Sequence, residues 1–306
     1  MKDAPVNAVE PLSVAAGLAP PKTATAFADY VALTKPRLNF LVVATSAAAY
    51  YLGGGGADTI AMVEAVAGTA LVAAGAAALN QVYERDTDAL MRRTRTRPLP
   101  AGRISPADAR RFGIALSVAG LALLAARASW LSASLALLTL VTYIAVYTPM
   151  KRRTPLSTVV GALPGALPAL IGWTASHGSI DRSGAALFAI VFCWQLPHFM
   201  AIAWLYREDY ARAGFPMLPV IDPEGRRAGK QAVYWALLMV LASLEPKFSG
   251  LAGNVYLTIA MVFGVTLFAL SLRFAADRNE STARALFYGS ITYLPLLWIA
   301  MVINKL

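Results

Sequence analysis

The sequence predicts an all-α, polytopic membrane protein with nine transmembrane helices. Three observations carry this reading. First, the chain is 58% hydrophobic and only 14% charged, with a mean hydropathy of +0.56, a balance that soluble domains do not reach. Second, apolar runs of about twenty residues recur along its length, the span a helix needs at about 1.5 Å per residue to cross a bilayer. Third, the basic residues sort by side. Of the 27 Lys and Arg, only Arg127, Arg182, Lys247 and Lys305 fall in the loops of one side. The other 23 share the opposite side with the N-terminal segment, which the positive-inside rule makes cytoplasmic. The net charge of +10 is therefore explained by cytoplasmic loops and implies no nucleic-acid partner. The implied partner is the lipid bilayer. The lone Cys193 sits in an apolar run, which excludes an intrachain disulfide and suggests no zinc or iron–sulfur site.

Residues 1–26 are rich in Ala and Pro, with no continuous apolar core, with Asp3 and Glu10, and with no arginine. That argues against a secretory signal and a mitochondrial presequence and predicts a disordered cytoplasmic tail. Residues 27–306 form a single transmembrane domain. The first helix is expected over 30–52, entered through Thr34-Lys35-Pro36-Arg37 and ended by the Gly53–Gly56 run. The second covers 60–83, and its many Ala and Gly residues permit close packing. A basic loop follows. Ser105-Pro106-Ala107-Asp108 reads as an N-cap, a Pro at the first helical position and an acid at the third, so a third helix runs over 106–126. The fourth covers 130–148 and ends at the basic turn 149–155. The fifth, 156–175, contains Gly161, Pro164, Gly165 and Pro168 and is expected to be kinked or broken. The sixth covers 184–206, with Pro197 inside. A polar loop leads to a short seventh over 231–244, an eighth over 251–275 and a ninth over 283–303. The basic turns that open the first and fifth helices, and the acidic ends of the second and sixth, suggest a weak internal repeat.

The chemistry concentrates in 80–100. Asn80, Glu84 and Asp88 stand four residues apart, so they share one helix face one turn apart, with Asp86 off that face. Arg85, Arg92, Arg93, Arg95 and Arg97 interleave or follow. Oxygen ligands stacked beside guanidinium groups suit a magnesium-bound polyphosphate: carboxylates hold the hard cation, and arginines take phosphate oxygens in bidentate fashion. The alternative is a helix-end salt-bridge cluster with Asp88 and Arg92 paired. A second acidic site, Glu208 and Asp209 in Tyr206-Arg-Glu-Asp-Tyr210, emerges on the same side of the membrane, as do Arg37, Lys151, Arg152 and Arg153. Two facing carboxylate clusters with bridging magnesium ions would offset charge on a departing diphosphate.

These residues match a family. Asn80-x3-Glu84-x3-Asp88 followed by Met91-x-Arg-Thr-x-x-Arg97-Pro-Leu resembles the first aspartate-rich motif of the UbiA-type intramembrane prenyltransferases. Tyr147-Thr-Pro-Met-Lys151-Arg-Arg-Thr, the Gly161 to Trp173 stretch, and Trp194-Gln-x-Pro197-His198-Phe199 with the Asp209 to Pro219 block resemble the branch with a heme acceptor. The resemblance covers roughly residues 30 to 300. It departs at Glu84, where Asp is commoner, and at Glu208 and Asp209, which do not form an Asp-x3-Asp pair.

The resemblance implies a helical bundle around a central cavity in a bacterial inner membrane, with Mg2+ as cofactor. It implies transfer of a farnesyl group from farnesyl diphosphate to a vinyl group of heme B, with water addition, and a further partner in heme O modification or oxidase assembly. Asn80, Glu84, Asp88, Glu208 and Asp209 become catalytic residues, with Asn80, Glu84, Asp88 and Asp209 on the metal. Arg37, Arg85, Arg92, Arg93, Arg97, Lys151 and Arg152 become diphosphate-binding residues. His198, with Trp194 and Phe199, becomes a heme-binding group, as iron ligand or propionate partner. From the residues alone, His198 is equally a hydrogen-bonding group in the Pro197 kink, and His177 is structural. Tyr83, Tyr143, Tyr147, Trp194, Phe199 and Trp204 would shield a carbocation by cation–π contact or serve as core aromatics. A quinone or chlorophyll-type acceptor, or a membrane transporter built on the possible repeat, stays open.

Overall fold

Hydropathy and helix-end signals fix most of the elements of the computed structural model, which describes residues 25–54 and 58–306. The expected tail, except residues 25 and 26, where the first helix begins, and part of the glycine run lie outside the described residues. The helices are α1 (Ala26–Leu33), α2 (Pro36–Leu52), α3 (Thr59–Leu90), α4 (Pro106–Arg127) and α5 (Trp130–Met150). There follow α6 (Ser157–His177), α7 (Arg182–Leu205), α8 (Arg207–Arg212) and α9 (Leu218–Ile221). The last are α10 (Arg226–Ala242), α11 (Glu245–Phe248), α12 (Asn254–Ala276) and α13 (Glu280–Ile303). No strand occurs among the described residues; the one bridge joins Ala252 to Lys305. Seven helices, α3 to α7, α12 and α13, are long and apolar enough to cross a membrane. The other two of the expected nine, α2 and α10, have 17 residues each and pack along spanning helices, α2 on α6 and α10 on α7 and α12.

Several ends differ from the sequence reading for identifiable reasons. The first expected helix splits at Lys35, which takes a left-handed conformation with φ 49° just before Pro36. A residue preceding proline is pushed out of the right-handed α region, so α2 starts afresh at Pro36. Helix α3 runs to Leu90, seven residues past the expected end, and carries the whole Asn80–Glu84–Asp88 face. The Ser105 cap of α4 forms as expected, its hydroxyl accepting the Asp108 N–H at 3.1 Å. Helix α6 is not broken. It holds Pro164 and Pro168 inside one helix. In α5 the turn Thr142–Tyr147 is π-helical. The Thr148 hydroxyl ties it by donating to the Tyr143 carbonyl at 2.7 Å, and Pro149 brings no N–H to a regular α ladder.

Burial orders the helices in the bundle. Of the most apolar window of each helix, 72% is buried in α6 and 61% in α7, against 28% in α4, α5 and α12. The first two are therefore central, and the others face lipid. The main core joins α2, α6, α7, α10, α12 and α13 around Trp173, Trp194, Met239, Tyr256 and Tyr293. A smaller one joins α3 to α6 around Leu124, Leu167 and Ile171. Helices α3 and α4 meet through small residues: a Cβ at Gly120 would stand 2.6 Å from the Gly68 carbonyl. Close backbone approach of this kind replaces hydrophobic association between membrane helices.

Candidate active site

The four-residue spacing on α3 does what the sequence says it should. Asn80, Glu84 and Asp88 are buried, 1%, 6% and 1% exposed, and all three line one cavity of about 440 Å³. What the spacing does not reveal is that each side chain meets a cation or hydroxyl from a different segment. Lys35 Nζ donates to Asn80 Oδ1 at 2.9 Å, while Asn80 Nδ2 donates to Thr148 Oγ1 at 3.1 Å. Lys151 Nζ lies 2.8 Å from Glu84 Oε1. Arg97 Nη1 lies 2.7 Å from Asp88 Oδ2, so the partner of Asp88 is Arg97 and not Arg92. The other oxygen, Asp88 Oδ1, is buried with no hydrogen-bond partner among the described residues.

Around this stack four cationic side chains, Lys35, Arg93, Arg97 and Lys151, face two carboxylates in the cavity lining. Arg93 donates to the Tyr210 hydroxyl at 3.0 Å and lies over the Tyr206 and Tyr210 rings at 5.2 and 5.0 Å. Lys151 lies over the Tyr147 ring at 4.9 Å. Burial, with the Arg97 charge beside it, pulls the Lys35 ammonium down from its ordinary value to about 7. Burial acts on Lys151 in the same sense, but the Glu84 carboxylate and its hydrogen bond outweigh it and hold that ammonium well above its ordinary value. Lys35, which reaches Asn80, has a left-handed backbone with φ 49°, and strain of this sort collects at functional sites.

Deeper in, the cavity is apolar and aromatic. Tyr143, Tyr147, Trp194, His198 and Phe199 line it. The π turn brings Tyr143 and Tyr147 into a stacked pair, with centroids 5.4 Å apart. Gly165 in α6 leaves space that the Gln195 carboxamide fills, and Gln195 in turn donates to the Ala162 carbonyl at 3.0 Å. His198 lies against Trp194 and Phe287, with ring centroids 5.1 Å away on each.

Of the expected site residues, the structure brings together Asn80, Glu84, Asp88, Arg93, Arg97, Lys151, Trp194, His198 and Phe199. It does not bring the others to the cavity. Arg37, Arg85, Arg92 and Arg152 are exposed and line no part of it. Arg85 stands one residue, about 100° of helix, off the Glu84 face and pairs outside with Asp86 at 2.9 Å. Glu208 is exposed. Asp209 is 8% exposed, but its carboxylate is taken by Arg212, and neither residue lines the cavity. The expected second carboxylate cluster therefore does not face the first; α8 presents Tyr210 in its place. Tyr83 is 51% exposed, and Trp204 packs on Phe274 away from the cavity. His177 is peripheral, 3.3 Å from Asp181. The sequence reading missed Lys35 as a site residue, and also Thr148, Gln195 and Tyr210. A lysine immediately before a proline at a helix start is the one local signal that points to Lys35.

Comparison with known proteins agrees with this arrangement. The model of the UbiA prenyltransferase family matches residues 41–299. A protoheme IX farnesyltransferase from Solibacter usitatus is 42% identical over 90% of this chain and 98% of its own length. One from Koribacter versatilis is 40% identical over 93% and 96%. Among solved structures, a digeranylgeranylglyceryl phosphate synthase superposes with a TM-score of 0.77 at 17% identity, covering 91% of this chain and 98% of that one. A UbiA homologue from Archaeoglobus fulgidus bound to DMAPP and Mg2+ superposes with a TM-score of 0.62 at 20% identity, covering 89% and 99%. At such identities these two structures speak for the fold alone.

Proposed function

The chain belongs to the UbiA prenyltransferase family, and from that premise we propose that it transfers the farnesyl group of farnesyl diphosphate to a vinyl group of heme B, giving heme O. One observation carries the proposal: a stack of buried carboxylates and cations at the mouth of an aromatic cavity that also presents a histidine. The relatives named protoheme IX farnesyltransferase, matching over nearly their whole length, support the choice of acceptor.

The donor set fits magnesium. Asp88 Oδ1 is a buried carboxylate oxygen left without a partner among the described residues, one helix turn from Glu84 and two from Asn80, and hard cations are held by one or two such carboxylates with substrate phosphates completing the shell. Magnesium, when bound, neutralises charge that develops on the leaving diphosphate. The protein's own residues do the rest. Lys35, Arg93, Arg97 and Lys151 take the phosphate oxygens, with the longer-range field strengthened by Arg37, Arg85, Arg92 and Arg152 on the same surface. Heterolysis of the allylic C–O bond sends the electron pair to the diphosphate and leaves a farnesyl cation. Tyr143 and Tyr147 offer ring faces to that cation and exclude water from it. The vinyl group of the porphyrin attacks, forming the C–C bond. Water then adds to the resulting cation and loses a proton, leaving a hydroxyethylfarnesyl group. Trp194 and Phe199 supply a flat apolar wall for the porphyrin, and His198 acts there, too deep for the head group: it precedes Leu205, the end of α7, by seven residues, about 10 Å of helix rise. The ligand set leaves out Glu208, which is exposed, and Asp209, which Arg212 occupies.

The reading places the protein in a bacterial inner membrane with the N-terminus and the segments 84–107, 149–155 and 207–230 on the cytoplasmic side. Its test is the product. Purified protein in nanodiscs, given heme B, farnesyl diphosphate and magnesium, should yield a porphyrin heavier by one farnesyl group and one hydroxyl, and none with magnesium chelated. Turnover of a quinone-type acceptor with heme B left unmodified would overturn the assignment of the acceptor.

A further inference from the structure

His198 has two ring nitrogens, and the contact between α7 and α13 decides which one is free. Ser290 Oγ lies 2.6 Å from the Phe287 carbonyl oxygen and 2.8 Å from His198 Nδ1. Two oxygens that close repel unless a hydrogen lies between them, and only the hydroxyl has one to give. Ser290 therefore donates to Phe287 O and meets His198 with a lone pair. Nδ1 must carry the hydrogen of that second bond. A neutral imidazole protonated at Nδ1 has an unprotonated Nε2, and Nε2 makes no hydrogen bond among the described residues.

The ring is also held in orientation. Trp194 stacks on it with planes 17° apart and Phe287 with planes 21° apart, both at 5.1 Å. The Trp194 indole N–H donates to the Ser290 carbonyl at 2.7 Å, so one residue of α13 anchors both the imidazole and its wall. Ser290 is fully buried. No carboxylate pairs with His198 among the described residues, so nothing there stabilises an imidazolium.

We infer that Ser290 is a positioning residue that fixes His198 in the Nδ1-protonated tautomer, so that Nε2 ligates the iron of the porphyrin substrate. The inference rests on the porphyrin acceptor proposed above and decides between the two roles open to His198. A bare Nε2 lone pair cannot donate to a porphyrin carboxylate, but it is what a metal takes. A metal-ligating histidine commonly gives its other N–H to a fixed acceptor, and losing that acceptor costs about 10- to 100-fold in metal affinity.

The experiment compares iron protoporphyrin IX with metal-free protoporphyrin IX, titrated into wild type, His198→Ala, Ser290→Ala and Ser290→Thr in nanodiscs. Wild type should bind the iron porphyrin about tenfold or more tighter. His198→Ala should equalise the two. Ser290→Ala should weaken only the iron porphyrin, about tenfold, and shift its Soret band. Ser290→Thr, which keeps the hydroxyl, should recover the wild-type spectrum. Equal affinity of wild type for both porphyrins, or equal loss of both in Ser290→Ala, would overturn the inference. Resonance Raman of the ferrous wild-type complex needs no variant to fold, and the absence of an iron–imidazole stretch there would overturn it as well. If metal-free and iron porphyrin are bound and farnesylated alike, the inference falls and the proposed function stands. If neither is bound, both fall.

Discussion

Replacing Asp88 by Asn separates the chemistry of the acid stack from its contribution to stability. Asp88 is 1% exposed and its partner Arg97 28% exposed. A charge-assisted hydrogen bond contributes about 1.5–3 kcal/mol and a neutral one about 0.5–1.5. The Asn amide keeps the shape and can still accept from Arg97, so the expected loss of stability is about 1 kcal/mol. That is a fall of about 2–4 °C in melting temperature by the scaling of domains of 150–250 residues. Turnover should suffer far more. Asp88 Oδ1 has no hydrogen-bond partner among the described residues, so its charge is available to a metal. Removing one preorganised group aimed at developing charge costs about 10²–10³ in rate, near 3 kcal/mol. The assay follows farnesylated porphyrin by chromatography over a magnesium titration, with melting followed in the same nanodiscs. A turnover within threefold of wild type at saturating magnesium would refute the assignment of Asp88 as a metal ligand. A melting temperature lowered by 15 °C or more would refute the energetic argument and show the pair to be structural.

Three further outcomes are expected. Lys151→Ala removes the ammonium 2.8 Å from buried Glu84; farnesyl diphosphate affinity should fall by about 2 kcal/mol or more, some thirtyfold, with porphyrin affinity held within about twofold by separate titrations. Gly161→Ala puts a Cβ 2.5 Å from the Tyr147 ring, and the displaced ring is the one beneath Lys151. Overpacking of this sort costs about 1–3 kcal/mol, and the expected reading is a kcat about tenfold lower in a protein that still inserts; an unchanged kcat would show that Tyr147 takes no part in turnover. In a Cys193→Ser background, cysteines at Thr96 and Glu224 should be protected from an impermeant thiol reagent in intact cells, and one at Ser179 should be labelled; the reverse pattern would invert the topology.

Much of the protein was legible in the sequence because much of it follows from local rules. Helix composition and length are set by a solvent that forbids unpaired backbone groups, so the helical class and most spans could be read from apolar runs. The alignment of Asn80, Glu84 and Asp88 is a consequence of 3.6 residues per turn and needs no tertiary information. The Ser105 cap is local too. The sequence reading failed where a residue's role depended on which partner its side chain meets once the chain is folded. Eight basic residues near the site share the same chemistry, and beyond the helix phase of Arg85 and the step from Lys35 to Pro36 nothing local distinguishes Lys35, Arg93, Arg97 and Lys151, which reach the cavity, from Arg37, Arg85, Arg92 and Arg152, which do not. Asp209 looked like a metal ligand until Arg212, three residues on, claimed it. The free nitrogen of His198 was decided by Ser290, 92 residues away. Hydrophobic burial is non-directional and tolerates many arrangements of the same apolar helices. A buried hydrogen bond or ion pair is short-ranged and costly to leave unmade, so which donor meets which acceptor is settled only when the packed helices fix their distances to within an ångström.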